Sequence, residues 1–87
     1  MKIFSVYDEK LEEFMTPTFF LTSGQAMRSF EDLVLGDSEC IFAKHPEDFT
    51  LYLIGEFNST SGQLESYSIP TVLCSAKDIV KLKDKAE

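Results

Sequence analysis

Residues 22–36 constrain the fold of this chain more than any other stretch. Thr22 or Ser23 can cap a helix in which Ala26, Met27, Phe30, Leu33 and Val34 recur at spacings of three and four, and Gly36 supplies a stop. Arg28, Glu31 and Asp32 fall mainly on the opposite side. A helix with one apolar stripe must bury it against another element, and the flanking segments read as strands. Lys2 to Tyr7 is rich in aromatic and β-branched residues, with Phe4 and Val6 alternating with Ile3, Ser5 and Tyr7. Asp8 to Glu13 is a polar connection. Phe14 to Leu21 is a second apolar run in which Phe19, Phe20 and Leu21 are core candidates, and Pro17 confines it to an edge position or a late start.

The second half holds further strands and a last helix, with no internal repeat of the first. Asp37 to Asp48 reads as a loop, anchored by Ile41, Phe42 and Ala43 and interrupted by Pro46. A connection of that length is a place where function is sought. Phe49 to Phe57 is a clear strand, Asn58 to Gly62 a turn of small polar residues, and Gln63 to Ile69 the returning partner of a hairpin. Phe49, Leu51, Leu53 and Phe57 share one face of the first hairpin strand, and Tyr52 and Ile54 the other. Both faces are partly apolar, so something is expected to cover the second. After Pro70, Thr71 to Cys74 is a short extended or docking segment. Ser75, three residues before Asp78, can cap a last helix carrying Ile79, Val80 and Leu82. The sequence therefore predicts an α+β domain: an antiparallel sheet of about four strands in ββαββα order, one main helix on one face and a short C-terminal helix. Residues 1–75 make the domain, and residues 76–87 a short helix or frayed tail.

At 87 residues there is room for one domain. No apolar run reaches the roughly 18 residues of a membrane span, and the N-terminus meets Asp8 and Glu9 before any stretch long enough for a signal peptide, so no membrane role is expected and the protein should stay where it is made. Cys40 and Cys74 form no metal-binding pair and read as reduced, partly buried thiols. The formal net charge of −7 argues against a simple nucleic-acid binder. The charge is uneven, however: Lys77, Lys81, Lys83 and Lys85 in the last twelve residues are four of the eight basic groups, against three acids. The body before them is strongly acidic.

No motif for catalysis is present: there is no phosphate-cradling glycine loop, nucleophile elbow or HExxH, and an enzyme is not expected. His45 lies beside Glu47 and Asp48, an arrangement that could serve acid/base chemistry or a metal. A single histidine with no linked nucleophile favours a structural loop, so no catalytic residue, metal or cofactor is assigned. The pairs Glu12-Glu13, Glu31-Asp32 and Glu47-Asp48 read as solvated surface. The aromatic residues carry more information. Three tyrosines and eight phenylalanines exceed what one helix-covered sheet must bury, and Phe4, Tyr7, Tyr52 and Tyr67 lie on candidate strands. Two readings stay open: a sheet surface that pairs chains into a dimer, or a platform for stacking bases of single-stranded nucleic acid with Lys2, Lys10, Arg28 and Lys44 as a basic rim.

Three segments also carry a resemblance. Met1-Lys2-Ile3-Phe4-Ser5-Val6-Tyr7-Asp8, then Pro17-Thr18-Phe19-Phe20-Leu21-Thr22-Ser23-Gly24-Gln25-Ala26-Met27-Arg28-Ser29-Phe30, and above all Phe42-Ala43-Lys44-His45-Pro46-Glu47-Asp48-Phe49-Thr50-Leu51-Tyr52 followed by Ile54-Gly55-Glu56-Phe57, resemble the small non-structural protein of gokushoviruses. These are single-stranded DNA phages of the microvirus group. The resemblance covers residues 1 to 70 and implies a non-catalytic phage protein of the host bacterial cytoplasm, described as DNA-binding and active in genome synthesis or packaging. Together with the residue reading, it makes Lys2, Tyr7, Arg28, Lys44, His45, Tyr52, Lys77, Lys81 and Lys83 the candidate nucleic-acid contacts. Single-stranded DNA and a second copy of the chain are the expected partners. The alternative is an interaction factor that contacts replication or capsid proteins without touching DNA.

Overall fold

The computed structural model describes residues 1–36 and 38–86; Asp37, where the expected loop begins, and Glu87, the end of the expected tail, lie outside the described residues. The elements are β1 (Lys2–Asp8), β2 (Glu13–Phe14), β3 (Thr18–Phe20), α1 (Ser23–Gly36), α2 (Ile41–Lys44), a 3-10 turn (Pro46–Asp48), β4 (Phe49–Phe57), β5 (Leu64–Ser75) and α3 (Ala76–Ala86). All strand pairs are antiparallel. β1 pairs with β4 along one side, and β5 continues the sheet beyond β4. The other side of β1 is shared, with β3 on its first half and β2 on its second. This is the expected α+β architecture.

The second apolar run divides because Pro17 cannot donate to a ladder. Strand pairing resumes at Thr18, on the sheet edge. Between the two pieces the Met15 N–H donates to the Val6 carbonyl at 2.8 Å, and the Ser5 hydroxyl donates to the Met15 carbonyl at 2.6 Å. Asp8 sets the tight turn from β1 to β2: its carboxylate accepts the Lys10 and Leu11 N–H groups at 2.9 and 3.3 Å. Glu12 completes that turn in the left-handed region, φ 56°. Both long helices start as their sequences dictate. The Thr22 hydroxyl accepts the Gln25 N–H at 3.1 Å, and the Ser75 hydroxyl accepts the Asp78 N–H at 3.1 Å.

The core lies on one side of the sheet. Phe4, Phe49 and Leu51 face Ala26, Phe30 and Val34 of α1, Phe42 of α2, and Ala76 and Ile79 of α3. Phe4 is fully enclosed, so truncating it to alanine would cost about 3–5 kcal/mol, a large share of the stability of a domain this small. Cys40 and Cys74 are free thiols packed at the margin of this core. Several expectations are corrected. Of Phe19, Phe20 and Leu21 only Phe20 packs on the core, and Leu33 in the helix stripe is 46% exposed. The expected 37–48 loop contains the short helix α2 and the 3-10 turn. β5 runs through Pro70 as one irregular strand instead of breaking there, because the register slips between Leu53/Gly55 of β4 and Thr71/Ser66 of β5, freeing residues 67–70 from regular pairing.

A second irregularity matters more. Ile3 pairs with Gly55 and Phe4 with Leu53, so Ile54 is an extra residue in β4. The bulge reverses the alternation and moves Phe57 from the face of Leu51 and Leu53 to the opposite one. It also brings β5 close: a Cβ built on Gly55 would clash with the Glu65 carbonyl oxygen. Only glycine fits.

Two outcomes follow from this packing. Gly55→Ala should destabilise the domain by about 1–3 kcal/mol, read as a lower urea midpoint with the secondary structure retained. Burial, reinforced by the charges of Glu31 and Asp78, raises the Cys74 thiol above its ordinary value. The folded state therefore favours the neutral thiol, a contribution complete below the ordinary range of about 8.5 and lost as pH rises through the raised value. Urea midpoints should fall above about pH 8.5, and less steeply in Cys74→Ala.

Candidate functional site

The helices cover one face of the sheet and leave the other open. Directly opposed residues of neighbouring strands share a face, so the open one can be read from the register. Its strand positions are Ile3, Ser5 and Tyr7 of β1, Phe14 opposite Tyr7, Phe19 opposite Ile3, and Tyr52 opposite Ser5; the larger neighbours bury Ile3 and Ser5, and Tyr7 and Tyr52 are half-buried. Val72 lies opposite Tyr52 on β5, and beyond the Ile54 bulge Gly55 and Phe57 join the same side. None of these residues is charged, although the chain carries a net charge of −7.

Three rings meet at the centre of this surface. Tyr7 and Phe14 stand with centroids 4.9 Å apart, Phe14 and Tyr52 5.3 Å, and Tyr7 and Tyr52 6.4 Å, with interplanar angles of 65°, 75° and 76°. Edge-to-face pairs of this kind each contribute about 0.5–1.5 kcal/mol and hold the rings in place. Phe19 and Phe57 make a second such pair at 6.1 Å. Phe14 and Phe19 are each 44% exposed, Val72 60% and Leu64 64%. A contiguous apolar surface of this kind marks an interaction site.

The structure unites Tyr7 and Tyr52 and separates them from most of the other sequence-derived candidates. Arg28 on α1 and Lys77, Lys81 and Lys83 on α3 belong to the helical layer on the far side of the sheet. Lys2 lies across from Phe20 and Glu56, on the alternation that includes Phe4. Lys44 closes α2 and is paired with Glu39 at 3.1 Å. His45 is exposed in the connection that follows. Phe4, a stacking candidate from its strand position, is enclosed in the core and offers no surface. Tyr67 is half-buried on the irregular part of β5, and partial burial with the Glu56 hydrogen bond and the Glu56 and Glu65 charges raises its phenol above the ordinary value.

Phe14 is the member that sequence reasoning missed as part of a site. The available signal was the distance from Tyr7 across a turn opened by Asp8, a residue whose carboxylate favours a tight reversal. That turn puts Phe14 opposite Tyr7 in the ladder. It also leaves Lys10 exposed in the loop joining the two strands that carry these rings.

His45, Glu47 and Asp48 form a second grouping, with one donor atom from each lying within 4.8 Å of the others. No helix of the described residues is long and apolar enough to cross a membrane.

No curated protein and no solved structure is found to be similar. The profile of the Phage ORF5 protein family matches residues 1–79, which takes in every strand, α1 and the first turn of α3. The chain is a member of the phage ORF5 protein family.

Proposed function

We propose that this phage protein binds single-stranded DNA without catalysing a reaction, by stacking bases on its open aromatic face, and that it acts as a homo-oligomer in the host cytoplasm during genome replication or packaging. The observation that carries this reading is the Tyr7–Phe14–Tyr52 cluster, held edge to face on the side of the sheet that no helix covers. Every base has a face to stack, so such a platform holds single strands with little sequence preference, each stacked base contributing about 1–3 kcal/mol.

The charge distribution shapes the rest of the reading. An acidic body repels phosphates over about 8 Å at physiological salt. An uncharged face therefore favours a mode in which bases lie against the rings and phosphates point to solvent. Lys10 beside the cluster is a local contact for the backbone. Few phosphate contacts mean a shallow salt dependence, because the slope scales with the number of phosphates neutralised. The oligomer follows from the sheet edge: β5, twelve residues long, ends the strand order, and an edge of that length is a template for pairing. A second copy added there would extend the sheet and set two aromatic faces side by side.

One observation favours a different reading. The open face bears no charge and the basic groups are dispersed, as suits an interaction factor that docks on replication or capsid proteins and never meets DNA. Fluorescence anisotropy with a labelled oligo-dT strand separates the two. Binding should be seen at low salt, weaken only modestly as salt is raised, and fall about 5- to 150-fold in Tyr7→Ala and Tyr52→Ala, as about 1–3 kcal/mol per lost stack requires. Lys83→Ala, on the far layer, should bind as the parent does. No binding at low salt, or loss in Lys83→Ala with the tyrosine variants unaffected, contradicts the stacking reading.

A further inference from the structure

The split in the second apolar run leaves a hollow behind it. β3 and β2 hold the two ends of the β1 edge, and between them contact with the ladder runs through Met15, whose N–H donates to the Val6 carbonyl at 2.8 Å. Behind this gap α1 contributes Ala26 and Ser29, three positions apart and both small. A larger residue at either position would fill the space. Phe30, Phe42 and Leu51 form its floor, and the result is a cavity of about 220 Å³ that opens at the sheet edge and ends against the core.

Depth, lining and size define what can occupy it. Ser5, Ala26, Phe30, Phe42 and Leu51 line the cavity and none is more than 8% exposed, whereas Met15, Thr18 and Leu33 are exposed and mark a narrow mouth. A polypeptide segment is excluded, because its backbone groups would find no partners on an apolar floor. The one buried hydroxyl, that of Ser5, is already given to the Met15 carbonyl at 2.6 Å. Among the described residues none that lines the cavity is charged, on a chain whose net charge is −7, so a guest must be neutral. Protein interiors hold few voids larger than a water molecule, and an apolar cavity of roughly 150 Å³ takes up benzene. This one is larger.

We propose that the cavity between the split edge of β1 and α1 binds a neutral aromatic small molecule, of the size of a substituted single ring or a fused bicycle. Three rings of the lining, Phe20, Phe30 and Phe42, favour an aromatic guest over an aliphatic one. Phe30 and Phe42 stand 5.3 Å apart and tilted by 55°, so that they offer both an edge and a face to a further ring. The hydroxyls of Thr18 and Ser29 can meet one polar substituent on that ring. An apolar body with one polar group is the chemistry that such a lining selects.

NMR of the full chain during titration with indole, and with benzoate as a charged ring of similar size, tests the site. Indole is expected to give saturable shifts centred on Val6, Phe20, Ala26, Phe30 and Leu51 and to raise the melting temperature, whereas benzoate does neither. Ala26→Leu and Ser29→Leu each put a larger side chain into the space and should weaken indole about tenfold or more. Ser29 is half-buried on a helix that accepts leucine, so its variant keeps the fold even if Ala26→Leu is strained. Tyr7→Ala should bind indole as the parent does. No saturable response, equal binding of benzoate, shifts confined to Tyr7, Phe14 and Tyr52, or unchanged affinity in either folded leucine variant overturns the proposal. The DNA-binding reading stands or falls separately, because none of Tyr7, Phe14 and Tyr52 lines the cavity.

Discussion

Everything in this molecule depends on the fact that its helices pack on one side of the sheet only. Phe4 is the centre of that contact: it lies on β1, one of the two strands with neighbours on both sides, and α1, α2 and α3 close over the face that carries it. A chain of 87 residues has enough apolar surface for one such layer. The same apolar budget leaves the second face uncovered, although β1, β2, β3 and β4 all contribute rings to it. An aromatic, uncharged surface facing water is costly for a monomer to keep, and the proposed binding partner would account for its retention on an otherwise acidic chain.

The physical logic of the open face differs from that of a charged nucleic-acid groove. Basic side chains on the helical layer cannot act together with rings on the opposite side of a sheet. What the rings would supply on the proposed reading is stacking, and their own edge-to-face contacts and a turn fixed through Asp8 hold them in place. Affinity built this way depends on ring positions more than on ionic strength. That separates the role of the net charge, which limits phosphate contacts, from the role of the surface, which offers none of its own charge.

Much of the fold was legible because the signals were local. The Thr22 and Ser75 caps, the stripe from Ala26 to Val34 and the edge position forced by Pro17 each follow from residues a few positions apart. What stayed hidden depends on register between strands. The extra residue at Ile54 turns Phe57 over to the open face, and no alternation within Phe49 to Phe57 announces it. The close approach of β5 to Gly55 and the passage of β5 through Pro70 are likewise properties of pairing. For the site, the strand positions of Tyr7 and Tyr52 were readable, but their union with Phe14 needed the hairpin register. The dispersal of Lys2, Arg28, Lys44 and the α3 lysines needed the three-dimensional layers.

The central claim is that the uncovered aromatic face, and not the basic helical layer, is where single-stranded DNA meets the protein. Amide and aromatic NMR shift mapping during titration with an unlabelled oligo-dT strand tests it most directly. The account predicts that the largest changes fall on Tyr7, Phe14 and Tyr52 and their strand neighbours, with α1 and α3 little affected. Changes concentrated on Lys77, Lys81 and Lys83, or a spectrum that does not respond to the oligonucleotide at low salt, would contradict it.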